Sequence, residues 1–143
     1  MSRAMIPAID DTEWPIVRIT YGETIGLNEI AEFARRLEAI FTKRGPFVTV
    51  ADISALNVTA TTALHRKRVA EEADKLASRG AFVGEAVIIR NPVVRVLYHG
   101  YTWLRTRDDY PRQTFADWST ARDWARLLLK AALVTGESPP PIE

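Results

Sequence analysis

The stretch from Gly45 to Gly80 constrains the fold most, because it places a buried strand directly before a long helix. Residues 47–53 read FVTVADI, a nearly continuous run of apolar and β-branched side chains. Such a run is typical of a parallel strand that is covered on both faces. Small apolar residues then recur at helical spacing from about Thr59 to Ser78, and Gly80 ends the helix. We therefore predict that Phe47 to Ile53 forms the central strand of a layered α/β sheet.

Strand and helix patterns alternate along the rest of the chain as well. This order predicts an α/β fold with a four-stranded mixed sheet and four helices packed mainly on one face. Pro15, at the start of the first strand, favours an edge position because proline donates no ladder hydrogen bond. The predicted strands are Trp14–Tyr21, Phe47–Ile53, Ala81–Arg90 and Arg112–Ala116, and the helices begin near Leu27, Thr59, Pro92 and Thr120.

Length and composition indicate one soluble globular domain. The chain has 143 residues, 47% of them hydrophobic and 26% charged, which is ordinary for such a domain. We predict a flexible arm at residues 1–13, the folded domain at 14–134 and a disordered, proline-rich tail at 135–143. The net charge of +1 gives no field that would attract nucleic acid, and the absence of cysteine excludes disulfides and thiol chemistry.

The expected location is cytoplasmic, with no transmembrane segment. No apolar run approaches the ~20 residues that a membrane-spanning helix needs. The N-terminus also lacks an apolar core of signal-peptide length.

The order of several short motifs resembles the STAS superfamily, in its SpoIIAA-like branch of small stand-alone bacterial domains, which borders on lipid-binding domains of the CRAL-TRIO type. The resemblance covers about residues 14 to 133. The motifs that carry it are Val48-Thr49-Val50-Ala51-Asp52-Ile53, the helix opening from Thr59 to Arg66, Val87-Ile88-Ile89-Arg90-Asn91-Pro92, and Phe115-Ala116-Asp117 before Ala121-Arg122-Asp123-Trp124-Ala125.

The resemblance implies a SpoIIAA/STAS-like fold and a protein-interaction or regulatory module rather than an enzyme. In anti-anti-sigma relatives, a serine at the start of the helix after the Asp-ended strand is phosphorylated by a partner kinase. Thr61 and Thr62 stand at that place here, with Ala60 before them and Ala63 after them. The resemblance thus makes Asp52, Thr61 and Thr62 candidate regulatory residues.

The junction between the central strand and the following helix is also the first candidate site on chemical grounds. A phosphate on a first-turn threonine would lie in the positive field of the helix N-terminus. In the alternative interpretation, Thr59 is the N-cap of the helix, Thr62 packs on the sheet, and Asp52 caps a loop.

A second candidate is an anion or ligand site formed by His65 and Arg66 with the adjacent Lys67 and Arg68. Arg66 falls on the apolar side of its helix, so it must reach solvent or find a carboxylate. In the alternative interpretation the charges are a solvated face, and Arg66 pairs with Asp52.

Aromatic residues of the third helix and the loop after it form a third candidate. Tyr98, His99, Tyr101 and Trp103 cannot all face one core, because they surround the helix axis. Exposed Tyr98, Tyr101 and Trp103 would suit a homodimer interface or a partner site. Alternatively these side chains, with Tyr110, fill space beneath the last helix.

The sequence does not match the common catalytic motifs. His65 and His99 have no adjacent glutamate that would form a zinc helix, and no glycine-rich phosphate loop is present. We therefore expect no catalytic residues, no metal and no cofactor. The leading hypothesis is a non-enzymatic interaction module that forms a homodimer. The alternatives are a carrier of a small apolar or anionic ligand, held between the second and third helices, and a phosphorylatable switch at Thr61 or Thr62.

Overall fold

The computed structural model describes residues 6–57, 62–96 and 110–135. Within these ranges the protein is an α/β fold with five strands and four helices. The strands are β1 (Ala8–Glu13), β2 (Ile16–Thr20), β3 (Phe47–Asp52), β4 (Phe82–Ile88) and β5 (Arg112–Phe115). The helices are α1 (Leu27–Arg44), α2 (Ala63–Ser78), α3, of which residues 92–96 are described, and α4 (Trp118–Thr135).

The five strands form one mixed sheet in the order β1-β2-β3-β4-β5. β1 pairs with β2 in antiparallel orientation, and the remaining neighbours are parallel. β3 lies in the middle, and all six of its residues are buried. The prediction that this apolar run forms the central strand is therefore confirmed.

The predicted strand count of four is wrong, because residues 8–13 form β1 instead of a flexible arm. β1 covers β2, so β2 lies inside the sheet and not at its edge. The sequence of β1, AIDDTE, contains three acids, which are rare in strands but common on protected sheet edges. The rest of the predicted arm, residues 1–5, and the predicted tail beyond Thr135 lie outside the described residues.

Helices pack on both faces of the sheet, with α1 and α2 on one face and α4 on the other. Successive residues of a strand point to opposite faces of the sheet, so alternate residues of β3 pack against the helices of different faces. One cluster joins β2 and β3 to α1 and α2 through Val17, Ile19, Phe47, Ala51, Phe33, Leu37, Leu76 and Ala77. The other joins the opposite face to α4 through Ile16, Val48, Val50, Ala86, Ala121, Ala125 and Leu128.

Gly84 in β4 leaves room for side chains of α4 to pack directly on the sheet. A Cβ atom built on Gly84 would lie 2.4 Å from Cδ1 of Leu128 and 3.3 Å from the backbone oxygen of Pro111. Ala121 and Ala125, both fully buried, form the part of α4 that faces the strands. Small residues on both sides of the contact therefore set the spacing of this layer.

The sheet has no point at which the strand order reverses. From β2 to β5 each parallel strand lies beside the previous one in the same direction. Right-handed crossovers then place the connecting helices on a single face. Doubly wound sheets bind nucleotides where the order reverses, so the described sheet lacks that type of crevice.

Candidate functional site

The N-termini of three helices lie at the end of the sheet where the parallel strands finish, which we call the carboxyl edge. β3, β4 and β5 are parallel, and α2, α3 and α4 begin shortly after their carboxyl ends. A side-chain oxygen caps each helix by accepting a hydrogen bond from a backbone N–H of the first turn. The pairs are Thr62 with His65 at 3.2 Å, Asn91 with Val93 at 2.9 Å, and Asp117 with Thr120 at 2.9 Å.

The observed caps differ from two of the predicted ones. Thr59 was the predicted alternative cap of α2, but Thr62 has that role, and α2 begins at Ala63. The last helix begins at Trp118, two residues before the predicted start at Thr120, and its cap is Asp117. Each chain segment contains several residues that can cap, and the hydrophobic period alone does not choose among them.

Asp52 lies at the end of β3, as predicted, and its carboxylate is almost fully shielded. One oxygen accepts a hydrogen bond from the backbone N–H of Ser54 at 3.0 Å. The other lies 3.7 Å from a guanidinium nitrogen of Arg90, whose side chain is 63% exposed. Asp52 is therefore a loop cap that also pairs with the residue after β4.

The predicted pairing of Asp52 with Arg66 is replaced by the pair with Arg90. The register places Asp52 beside Ile88, so Arg90 follows β4 at the same level of the sheet. Arg66 lies in the first turns of α2, where its backbone N–H donates to the oxygen of Thr62 at 3.1 Å. Its side chain and that of His65 are half-buried.

Thr62 and His65 form a small polar unit at the start of α2. Besides the cap hydrogen bond, Nδ1 of His65 lies 2.6 Å from the Thr62 hydroxyl. The first turn of α2 contains no acidic residue, so nothing in that turn offsets the positive end of the helix. The other two threonines of the predicted site, Thr59 and Thr61, lie outside the described residues.

Replacing Thr62 by Ala should lower the free energy of unfolding by about 1 kcal/mol, the usual cost of removing an N-cap side chain. The physical cause is the loss of the acceptor for the His65 N–H. Chemical denaturation of the purified protein measures this change. Thr62→Asp is the matched control, because it retains a capping oxygen and should restore wild-type stability. Equal losses in both variants would contradict the capping role.

Asp117 makes the start of α4 sensitive to acid. Hydrogen bonds from the backbone and side chain of Thr120, helped by the charge of Arg90, hold the pKa of Asp117 below its ordinary value of 3.8. Because the folded-state pKa is depressed, the stabilisation is present above the unfolded-state pKa and is lost as the pH falls through the folded-state value.

We therefore expect the carboxyl carbon resonance of Asp117 to titrate below pH 3.8. Asp117→Asn keeps a capping oxygen but cannot titrate, so its melting temperature should depend less on pH between about 5 and 2. Asp10, whose pKa is also lowered by hydrogen bonds from Thr12, is an internal control in the same spectra. Titration of Asp117 at or above its ordinary value would contradict this account.

Exposed apolar side chains surround the same edge. Leu64 in the first turn of α2 is 54% exposed, and Val93 and Val96 in α3 are 68% and 71% exposed. Val93 and Val96 are three residues apart and therefore lie on one side of their helix. The sequence did not single out these three residues, because Val93 and Val96 fit the apolar pattern of α3 and Leu64 is a lone apolar residue on the charged side of α2.

The aromatic candidates Tyr98, Tyr101 and Trp103, together with His99, lie outside the described residues. Tyr110 is described and is buried, with its ring centroid 5.1 Å from that of Phe82. Tyr110 therefore packs in the core, but in the cluster on the α1 and α2 face and not beneath the last helix.

A polar group that the sequence did not predict lies on the sheet face that α1 and α2 cover. Glu85 of β4 pairs with Arg112 of β5 at 3.1 Å, and these side chains are only 20% and 10% exposed. The Thr49 hydroxyl donates to Glu85 at 3.5 Å, and Arg112 donates to the Tyr110 hydroxyl at 2.7 Å. A charged residue inside the apolar strand sequence FVGEAVI was the available signal.

The described residues contain no group of three or more histidine, aspartate or glutamate side chains placed to hold a metal ion. None of the helices, as far as their residues are described, is long and apolar enough to cross a membrane. Comparisons of the chain with protein-family models, with curated protein sequences and with solved structures gave no match.

Proposed function

We propose that the protein is a cytoplasmic, non-enzymatic interaction or regulatory module of SpoIIAA/STAS-like type. The observation that supports this proposal is the group of exposed apolar side chains, Leu64, Val93 and Val96, at the carboxyl edge of the sheet. Apolar side chains with a polar surround are the usual composition of a protein-docking surface. The polar surround here consists of the three helix caps and the Asp52–Arg90 pair.

The rigidity of this edge also favours docking. Each of the three helix starts is fixed by a side-chain cap, and Arg95 donates a hydrogen bond to the backbone oxygen of Ile89 at 3.1 Å. A preorganised surface loses little conformational entropy when a partner binds. The proposed partner is a protein, and self-association into a homodimer is included in the proposal.

Site-specific photo-crosslinking in source cells tests the proposal. A photoreactive residue at Leu64 or at Val96 should capture one discrete protein, whether another protein or a second copy of this chain. Leu127 of α4 is the matched control, because it is 66% exposed and apolar but lies on the helix that covers the other face. Equal capture from all three positions, or no capture from Leu64 and Val96, would contradict the proposal.

Self-association is tested by light scattering at high protein concentration. If the protein stays a strict monomer, the homodimer part of the proposal is contradicted.

Thr62 supports a second candidate function, the phosphorylatable switch. Its exposed hydroxyl lies at the N-cap of α2, where a phosphate would be stabilised by the helix field and would replace the contact with His65. The intact mass of protein isolated from its own host should then include a phosphorylated form that Thr62→Val lacks. Unmodified protein under all growth conditions would contradict the switch.

The native mass of the same sample tests the carrier alternative, because a retained lipid-like molecule would increase the measured mass of the protein.

A further inference from the structure

The flank of α4 that faces β1 and β2 concentrates positive charge around one indole ring. Trp118, Arg122 and Arg126 follow each other at four-residue spacing and therefore lie along one side of α4. Arg18 of β2 lies on the sheet face below them, with its guanidinium carbon 4.3 Å from the centroid of the Trp118 ring. The guanidinium carbon of Arg122 lies 5.9 Å from the same centroid.

Arg18 forms no salt bridge within the part of the chain that the structure describes, although its charge acts on Asp10. Its neighbour across the β1–β2 ladder is Asp10, but that carboxylate accepts hydrogen bonds from the backbone and hydroxyl of Thr12, at 2.9 and 2.7 Å. The Nε atom of Arg18 is shielded from solvent and has no hydrogen-bond partner there. The Trp118 ring and the charge of Asp10 offset part of the cost of this partly desolvated guanidinium, but its Nε–H keeps an unused donor.

Arg122 and Arg126 share a single carboxylate at long range. Each has a guanidinium nitrogen 3.7 Å from the same oxygen of Glu13, the last residue of β1. The Nε atom of Arg122, like that of Arg18, is shielded and has no hydrogen-bond partner among the described residues. One glutamate therefore offsets two arginines, and neither is held by a close hydrogen bond to it.

The stacked geometry leaves binding groups available. A guanidinium that lies over an aromatic face keeps the N–H groups at its edge free for an anion in its own plane. The paired N–H donors of two guanidinium groups match the oxygens of a phosphate. Each of these charge-assisted hydrogen bonds is stronger than a neutral hydrogen bond. A dianion also requires more than one cation, which a lone surface arginine does not supply.

We propose that Arg18, Arg122 and Arg126, beside Trp118, form a binding site for a phosphate monoester group. This site is distinct from the docking surface proposed at the carboxyl edge of the sheet, and the phosphate proposal does not depend on that surface. Glu13 is the internal competitor, since it occupies the position of an anion between Arg122 and Arg126. Asp10, opposite Arg18 in the β1–β2 ladder, adds negative charge next to the site, which disfavours a long polyanion more than a single compact phosphate.

Titration of the full chain with inorganic phosphate at constant ionic strength tests the site. Nitrogen-15 NMR spectra should show saturable shifts of the Arg18 and Arg122 Nε–H signals and of the Trp118 indole signal. The expected dissociation constant is on the order of 1–10 mM, as for a small ligand held by a few polar contacts. No saturable shift up to about ten times that concentration would overturn the proposal.

Two substitutions of opposite sign make the test specific. Arg18→Met should weaken phosphate binding about tenfold, the value of one charge-assisted contact, whereas Glu13→Gln should tighten it about threefold by removing the competing carboxylate. Glu32→Gln is the matched control, because Glu32 also pairs with two arginines, Arg35 and Arg36, but on α1 and without a tryptophan. The same tightening in Glu32→Gln, or no change in Glu13→Gln, would overturn the proposal even if Arg18→Met failed to fold.

The source of the phosphate is tested separately. Glycerol phosphate represents a soluble monoester, and vesicles of phosphatidylcholine with phosphatidic acid represent a lipid headgroup. NMR shifts with glycerol phosphate, without binding to the phosphatidic acid vesicles, would assign a soluble ligand. Cosedimentation with phosphatidic acid vesicles that is lost in Arg18→Met, without binding to phosphatidylcholine alone, assigns a lipid. Binding to neither probe would overturn the site.

Discussion

Replacing Glu85 by Leu should lower the free energy of unfolding by about 3 kcal/mol, because the substitution removes the carboxylate that pairs with the largely buried guanidinium of Arg112. The two side chains are joined at 3.1 Å across the β4–β5 pair, where less than a quarter of either is exposed. The Thr49 hydroxyl would also lose the acceptor that it contacts from the central strand. Urea denaturation followed by circular dichroism measures the loss.

The double variant Glu85→Leu with Arg112→Met separates the pair from its surroundings. Replacing both partners by apolar side chains should recover most of the lost stability, because no buried charge remains. Glu38→Leu is the surface control: Glu38 pairs with Arg79 between α1 and α2, where both side chains are half-exposed. Its cost should stay within about 1 kcal/mol. A Glu85→Leu variant as stable as Glu38→Leu would show that the pair is not desolvated.

Replacing Gly84 by Val should destabilise the protein by about 2–3 kcal/mol, as overpacking of a close layer does. The new Cβ would lie 2.4 Å from Cδ1 of Leu128, and the side chain of Trp124, at 3.5 Å, limits the room for adjustment. The Leu128 side chain would have to leave its place on the sheet, which would disturb the cluster that it forms with Ala121 and Ala125. Thermal unfolding of the purified variant measures the effect.

Two further variants identify the contact responsible. Gly22→Val is the control for adding the same side chain where nothing lies within 4 Å, and its stability should remain close to wild type. Gly84→Val with Leu128→Ala provides space for the added atoms, so part of the lost stability should return. If Gly84→Val alone were neutral, the close approach of α4 to the sheet would be disproved.

The sequence predicted the parts of the fold that depend on continuous apolar runs. FVTVADI had to be covered on both faces, and it is the central strand with every residue buried. The glycines after the first two long helices were also predicted, and Gly45 and Gly80 have φ angles of 94° and 79°. Such features are local, so the identity of a few neighbouring residues decides them.

The missed features depend on what lies across the sheet. The acids of β1 contradict the strand pattern and predict an arm, whereas the ladder with β2 and the ion pairs with α1 and α4 make it a strand. The position of α4 on the second face follows from Gly84 and two alanines, and no single segment shows that these residues meet. Non-local packing of this kind overrides local propensity.

The candidate site was predicted in part. Asp52 and Thr62 do lie at the same edge of the sheet, as the strand–helix junction indicated. The partner of Asp52 was missed because the β3–β4 register, which brings Arg90 alongside, cannot be read from either segment alone. Likewise, the exposure of Val96 is a property of the assembled layers, since the helical pattern assigns this residue to an apolar side.

The dissociation constant of the photo-crosslinked partner, measured with Val96→Asp against wild type, tests the docking edge most directly. Val96 is 71% exposed, so a charge there should leave stability unchanged while it places an unpaired carboxylate in the interface. We expect affinity to fall at least about tenfold, and Leu127→Asp, with a similarly exposed side chain on α4, to bind as wild type. Equal affinity of Val96→Asp and Leu127→Asp would contradict the assignment of function to the carboxyl edge of the sheet.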